Sequence, residues 1–126
     1  MKRKLILEEI DIFYKKGGLN NEGQNKMINI LNGNDDISLR RLDNFVVKSK
    51  NLVINKHNIH ESFKNELKFY GKKYFDIYRR HGAVTYNLNE KENKIINTSI
   101  AQLNFFKWLF QFGIIDYINK NGFNII

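Results

Sequence analysis

The chain has 126 residues, a formal net charge of +8, 42% hydrophobic residues and 13% aromatic residues, which is typical of one globular domain and excludes a disordered chain. It contains no cysteine, so disulfides and thiolate metal sites are excluded. Acidic residues interrupt the apolar N-terminal stretch, which excludes a signal peptide, and no run approaches the ~18 apolar residues of a membrane span. We therefore expect a single domain over residues 1–126 that does not cross a membrane.

The first third of the chain predicts three helices. Residues 5–14 are amphipathic, with Leu5 among the positions that share the apolar face. A short helix follows and is expected to stop at Asn32, before a glycine. Residues 36–47 carry leucine, phenylalanine and valine at helical spacing behind two aspartates that favour a helix start.

The longest predicted helix covers residues 57–76. Asn58 and Glu61 have the spacing of a capping box at its start. Gly71 costs about 1 kcal/mol relative to alanine inside a helix, so we expect a kink or an end near Phe75.

The last third of the chain predicts a β-hairpin and two more helices. The hairpin is expected at residues 83–98, where apolar and polar residues alternate on both sides of a turn-like segment. Ser99 and Gln102 form a second capping-box pattern before a helix over residues 100–112, and a short final helix follows. The predicted fold is therefore α+β and helix-rich, with five to six helices and one β-hairpin.

Positive charge is concentrated in the middle of the chain. Residues 40–80 hold eleven basic and four acidic residues, which is +7 of the total +8. On the predicted helix the lysines fall opposite the apolar face, and Phe75 projects among them. Rows of cations bind phosphates, and an exposed aromatic ring stacks on bases.

The sequence therefore predicts a basic ridge that binds nucleic acid, DNA in preference to RNA. The predicted binding residues are Arg40, Arg41, Lys64, Lys68, Lys72, Lys73, Phe75, Arg79 and Arg80. The alternative is an ordinary solvated helix face, with Phe75 covered by the N-terminal helices.

The order of helix, helix and hairpin is also similar to that of a winged-helix DNA-binding domain. However, the connection of about nine residues between the two helices is too long for a tight helix-turn-helix.

The helix over residues 100–112 is apolar on all sides. Phe105, Trp108 and Phe112 lie on one side of it, opposite a second apolar row. Such a helix is either central in the core or shared with a partner. The alternative function is therefore a structural or adaptor protein that uses these three residues in a homo-oligomer or with a virion protein.

The sequence shows no set of catalytic or cofactor-binding residues. No serine lies in a nucleophile-elbow pattern, and no glycine-rich phosphate loop is present. His57, His60 and Glu61 have helical spacing that suits a metal, but no further strong ligand is evident. We therefore expect a protein that is not an enzyme and has no cofactor or metal site.

Three segments, residues 37–47, 61–80 and 98–118, follow a recognisable pattern. Its most specific part is a Thr-x-x-Gln-Leu-Asn-Phe-Phe-x-Trp helix, which corresponds here to Thr98 or Ser99, Gln102, Leu103, Asn104, Phe105, Phe106 and Trp108. Together the segments resemble a family of small, basic, uncharacterised proteins of nucleocytoplasmic large DNA viruses.

The chain departs from that family pattern at two positions. Asn44 stands where an aromatic residue is expected, and Ile77 stands where proline is expected, which leaves the helix end near Phe75 undefined. The resemblance implies a viral origin and a location in the viral factory of the host cytoplasm or in the virion. It implies no activity, so function has to be inferred from the surface.

Overall fold

A computed structural model describes residues 2–78 and 82–123. These residues form six helices and two small antiparallel sheets, which confirms the helix-rich α+β prediction. The helices are α1 (Lys2–Lys15), α2 (Asn21–Leu31), α3 (Leu39–Lys48), α4 (Ile59–Tyr70), α5 (Ile100–Gln111) and α6 (Ile114–Asn121). The strands are β1 (Val53–Ile54), β2 (His57–Asn58), β3 (Ala83–Asn87) and β4 (Ile95–Ser99). Among the described helices, none combines the length and apolarity that a membrane crossing requires.

Helix α1 buries a stripe that differs from the predicted one by one position. Ile6, Ile10, Phe13 and Tyr14 face the core, whereas Leu5 is 52% exposed. The spacing i, i+4, i+7 from Ile6 defines the buried side of a 3.6-residue helix, and Leu5 lies outside that stripe. The prediction that Leu5 shares the apolar face is therefore wrong.

Helix α3 begins at Leu39, three residues later than predicted. The backbone N–H of Ile37 donates to the Asp35 carboxylate at 2.9 Å, and that carboxylate also pairs with Lys26 at 2.9 Å. Asp35 therefore organises a turn before the helix. The hydroxyl of Ser38 then caps α3 by accepting a hydrogen bond from the N–H of Arg41 at 3.1 Å.

A short hairpin occupies the connection between α3 and α4. Strands β1 and β2 pair through a two-residue turn in which Asn55 and Lys56 have φ of 51° and 71°. Positive φ at both turn residues matches the right-handed twist of the strands. Asn58 ends the hairpin and caps α4, accepting from the N–H of Glu61 at 2.9 Å. Because a hairpin separates α3 from α4, the two helices do not form a helix-turn-helix.

Helix α4 ends at Tyr70, well before the predicted end near residue 76. Gly71 has a φ of 75° and its N–H donates to the carbonyl of Leu67 at 2.8 Å, which closes the helix. The chain then turns inward, and Phe75 is only 1% exposed. The prediction that Phe75 projects among the lysines is therefore wrong, because it extended the helix past its real end.

Helix α5 lies at the centre of the core. Its buried residues surround the whole helix and include Gln102 and Asn104. It follows directly on β4, and the β3–β4 pairing, with Tyr86 opposite Ile96, confirms the predicted hairpin. Ser99 begins the helix by accepting from the N–H of Gln102 at 3.1 Å.

Two buried amides of α5 hold residues 71–78, the first part of the connection from α4 to β3. Gln102 Nε2 donates to the carbonyl of Ile77 at 2.7 Å, and its Oε1 accepts from the Thr98 hydroxyl at 2.6 Å. Asn104 Nδ2 donates to the carbonyl of Tyr74 at 2.8 Å. These hydrogen bonds satisfy main-chain carbonyls that would otherwise lack a partner. We call this arrangement the amide clamp.

Replacing Gln102 by leucine should weaken the fold, because the carbonyl of Ile77 and the hydroxyl of Thr98 lose their partner. We expect the free energy of unfolding, measured by urea denaturation, to fall by about 1–3 kcal/mol. The control is Gln111→Leu, an exposed position of the same helix, for which a change within about 0.5 kcal/mol is expected. Equal losses in the two variants would contradict a stabilising role for the clamp.

Candidate nucleic-acid interface

The lysines of the predicted ridge face solvent. Lys64 and Lys68 lie one turn apart on α4, about 6 Å along the helix axis. Lys72 and Lys73 are exposed in the turn that follows Gly71, so the row leaves the helix after Lys68. None of the four lysines is in an ion pair with another described residue. Their charge is therefore available to an anionic ligand.

A fifth cation, Lys2 of α1, lies at the end of α4. The ammonium of Lys2 donates to the carbonyl of Phe69 at 3.1 Å, in the last turn of α4. A cation is favourable there because carbonyls at a helix C-terminus carry partial negative charge. Lys2 was not among the predicted binding residues. Its only signal in the sequence was the basic start of the chain, which does not indicate a contact with α4. We define the α4 basic surface as Lys2, Lys64, Lys68, Lys72 and Lys73.

The aromatic residue exposed on α4 is Phe69 rather than Phe75. Its side chain is 69% exposed, and it touches the edge of the neighbouring Tyr70 ring at a centroid distance of 4.9 Å. Phe75, by contrast, is stacked on Phe105 at 4.6 Å inside the core. Counting 100° per residue already places Phe69 away from the buried stripe of α4. That count is the sequence signal that could have identified it.

The predicted arginines do not all join the α4 basic surface. Arg40 and Arg41 are exposed on α3, and the guanidinium of Arg41 lies over the ring of Phe123 at 4.1 Å. Arg41 and Phe123 line a separate cleft of about 230 Å³ together with Lys48. Arg79 and Arg80 lie outside the described residues.

The aromatic side of α5 is occupied by the core. Phe105 and Trp108 are 2% and 1% exposed, and the Trp108 indole N–H donates to the hydroxyl of Ser62 at 2.9 Å. Phe112 is half-buried against the ring of His57 at 4.9 Å. The prediction that Phe105 and Trp108 form an exposed interface is therefore wrong, because both side chains pack against the inner faces of α4 and residues 71–78.

The histidine pair does not assemble into a recognisable metal site. Within residues 2–78 and 82–123, there is no group of three or more histidine, aspartate or glutamate side chains positioned to hold a metal ion. His57 packs on Phe112 instead.

Acidic side chains border the other flank of α4. Partial burial raises the pKa of Glu66; the nearby Glu9 carboxylate adds to the rise, and the Lys107 ammonium opposes it. The pKa of Tyr70 is raised by burial and by the same two carboxylates. Negative charge therefore gathers between α1 and α4, away from the outward lysines Lys64 and Lys68.

The raised pKa of Glu66 predicts a pH dependence of stability. The folded protein binds the Glu66 proton more tightly than the unfolded chain does. Protonation of Glu66 therefore makes its full contribution to the stability of the fold below the ordinary pKa of 4.5. The contribution is lost as pH rises through the raised pKa. Glu66→Gln removes the titration, so its thermal midpoint should exceed that of the wild type at pH 7, and the difference should shrink towards pH 4.

The matched control is Glu8→Gln, which removes a carboxylate from an exposed position of α1. It should leave the thermal midpoint at pH 7 close to that of the wild type, because the side chain is exposed. A Glu66→Gln protein with a midpoint below that of the wild type at pH 7 would show that the attraction to Lys107 outweighs burial and Glu9.

Comparison with known proteins gives the chain a family but no activity. Residues 2–126 match the model of DUF7197, which is described as a family of unknown function. Uncharacterized protein L507 of Acanthamoeba polyphaga mimivirus is 37% identical over 106 residues, which cover 73% of this chain and 41% of that protein. The chain thus spans about two-fifths of the length of this relative, whose source supports the expected giant-virus origin. No solved structure matches the chain.

Proposed function

The chain belongs to the DUF7197 family of unknown function, and from its surface we propose that it is a non-enzymatic viral protein that binds nucleic acid. The α4 basic surface is the proposed site. Contacts to phosphates would supply most of the affinity, so binding would depend strongly on salt and only slightly on sequence. We propose DNA as the ligand in preference to RNA, and the viral factory of the host cytoplasm or the virion as the location.

One observation carries this proposal. Lys64, Lys68, Lys72 and Lys73 are exposed without an acidic partner in the described chain, whereas the opposite side of α4 is fixed to the core through Ile59 and Tyr70. Exposed cations that are not in ion pairs can neutralise phosphates without first breaking such a pair. The surface therefore has the electrostatic footprint of a phosphate-binding face.

The adaptor hypothesis receives no comparable support. It depended on Phe105, Trp108 and Phe112. The first two side chains are buried in the core of the chain itself, and Phe112 is half-buried. A partner that used Phe105 and Trp108 would have to displace α4 and residues 71–78 first. We therefore do not propose the aromatic face of α5 as an interface.

Reversing two charges of the α4 basic surface should abolish binding. Lys68→Glu with Lys72→Glu should weaken binding of a labelled 20-base-pair duplex at least about tenfold at low salt, because two phosphate contacts become repulsive. For the wild type, five lysines predict a slope near −4.5 in log K against log salt, since each phosphate contact contributes about −0.9. Fluorescence anisotropy over a salt series measures both quantities.

The charge-matched control is Lys91→Glu with Lys120→Glu. These exposed lysines lie in the β3–β4 turn and on α6, and the double variant changes the net charge equally. It should keep most of the duplex affinity. Full binding by the Lys68/Lys72 variant, or equal losses in both double variants, would reject the α4 basic surface as the site.

A further inference from the structure

We infer that the α4 basic surface is built for single-stranded nucleic acid, with Phe69 as the platform on which an unpaired base stacks. This inference rests on the proposed function and names the ligand class of the same site. DNA and RNA strands share the chemistry involved, an anionic backbone and an unpaired aromatic base.

The first support is the exposure of the Phe69 ring. It is 69% exposed, the highest value among the large hydrophobic side chains of the described residues. A ring left this exposed gives up most of the hydrophobic stabilisation that burial would supply. The ring nevertheless stands on the last turn of a well-capped helix, where its backbone is fixed by the closing hydrogen bond at Gly71.

The second support is the presence of cations at the end of α4 that carries the ring. Lys68 precedes Phe69 by one residue and projects about 100° away from it around the helix, and the ammonium of Lys2 is held 3.1 Å from the main-chain carbonyl oxygen of Phe69. Lys72 and Lys73 follow in the next turn. A strand with a base on the ring would therefore pass the end of α4, where lysines from two separate segments of the chain are exposed.

This combination favours a single strand over a duplex. In a duplex the faces of the bases are already stacked, so a protruding ring contributes nothing unless the duplex opens. Single-strand binding surfaces combine a basic track with exposed aromatic rings, and each stacked base contributes about 1–3 kcal/mol. Lysines alone would bind either ligand, whereas stacking on Phe69 requires an unpaired base or a duplex whose bases have been unstacked.

Two simpler explanations are open to test. Lys2 has a structural role as a cation at the C-terminus of α4, and an exposed phenylalanine can also mark a protein-binding surface. The first predicts that Lys2→Gln lowers stability without changing binding. The second predicts that any large apolar side chain can replace Phe69. Stacking requires a ring.

The experiment compares Phe69→Leu and Phe69→Tyr on labelled single-stranded DNA, single-stranded RNA of the same sequence, and the 20-base-pair duplex. Phe69→Leu should lose about 5- to 150-fold in single-strand affinity, the range that corresponds to one stacked base. Its duplex affinity should stay within about twofold, because phosphate contacts are untouched. Phe69→Tyr should retain single-strand affinity. Unfolding midpoints check that both variants are folded.

Phe69→Trp provides a direct readout of stacking. The natural protein has one tryptophan, Trp108, which is buried and hydrogen-bonded to Ser62. The new tryptophan would be exposed, and a base stacked on it should quench its emission on addition of single strand. Duplex should leave the emission unchanged, and so should either ligand with the wild type.

The outcomes separate this inference from the proposed function. If Lys68→Glu with Lys72→Glu abolishes binding but Phe69→Leu binds single strands like the wild type, stacking is rejected and the phosphate site stands. If Phe69→Leu loses affinity for single strand and duplex equally, the ring maintains the structure of the surface and does not stack on a base, and the inference also fails. If no nucleic acid binds the wild type at low salt, both proposals fall.

Discussion

The fold depends on two amide side chains that act inside an apolar core. Gln102 and Asn104 reach from the central helix to the carbonyls of Ile77 and Tyr74. A buried carbonyl without a hydrogen-bond partner costs about 1–3 kcal/mol of stability. The connecting segment can therefore enter the core only where side-chain donors are positioned to bind its carbonyls. Once it enters, the ring of Phe75 packs against the central helix and the preceding helix has to end early.

This constraint gives a physical meaning to the family motif. Its polar positions, among them Thr98, Gln102 and Asn104, belong to the amide clamp, and its tryptophan joins two helices through Ser62. These residues of the C-terminal motif are therefore residues of the scaffold. The lysines of the α4 basic surface lie in another segment of the pattern, residues 61–80, and binding is argued from their exposure and charge.

Local signals predicted most of the fold. Caps at Asn58 and Ser99 marked two helix starts, and alternation marked the β3–β4 hairpin. The error at the end of α4 lies where distant residues contribute. Gly71 is compatible with either a kink or a helix end. Here α4 ends, and the amide clamp, whose residues lie some 30 positions later, holds the segment that follows. The four lysines were predicted correctly as exposed, but Lys2 reaches Phe69 across 67 positions, which no local pattern reveals.

The clamp recognises main-chain atoms, and this has an evolutionary consequence. Both amides bind carbonyl oxygens, which every amino acid possesses, so they place few demands on the identity of outward-facing residues such as Lys72 and Lys73. Substitutions at these positions leave the hydrogen bonds of the amide clamp intact. Scaffold and surface can consequently diverge at different rates, and related chains can inherit this architecture while acquiring a different surface charge.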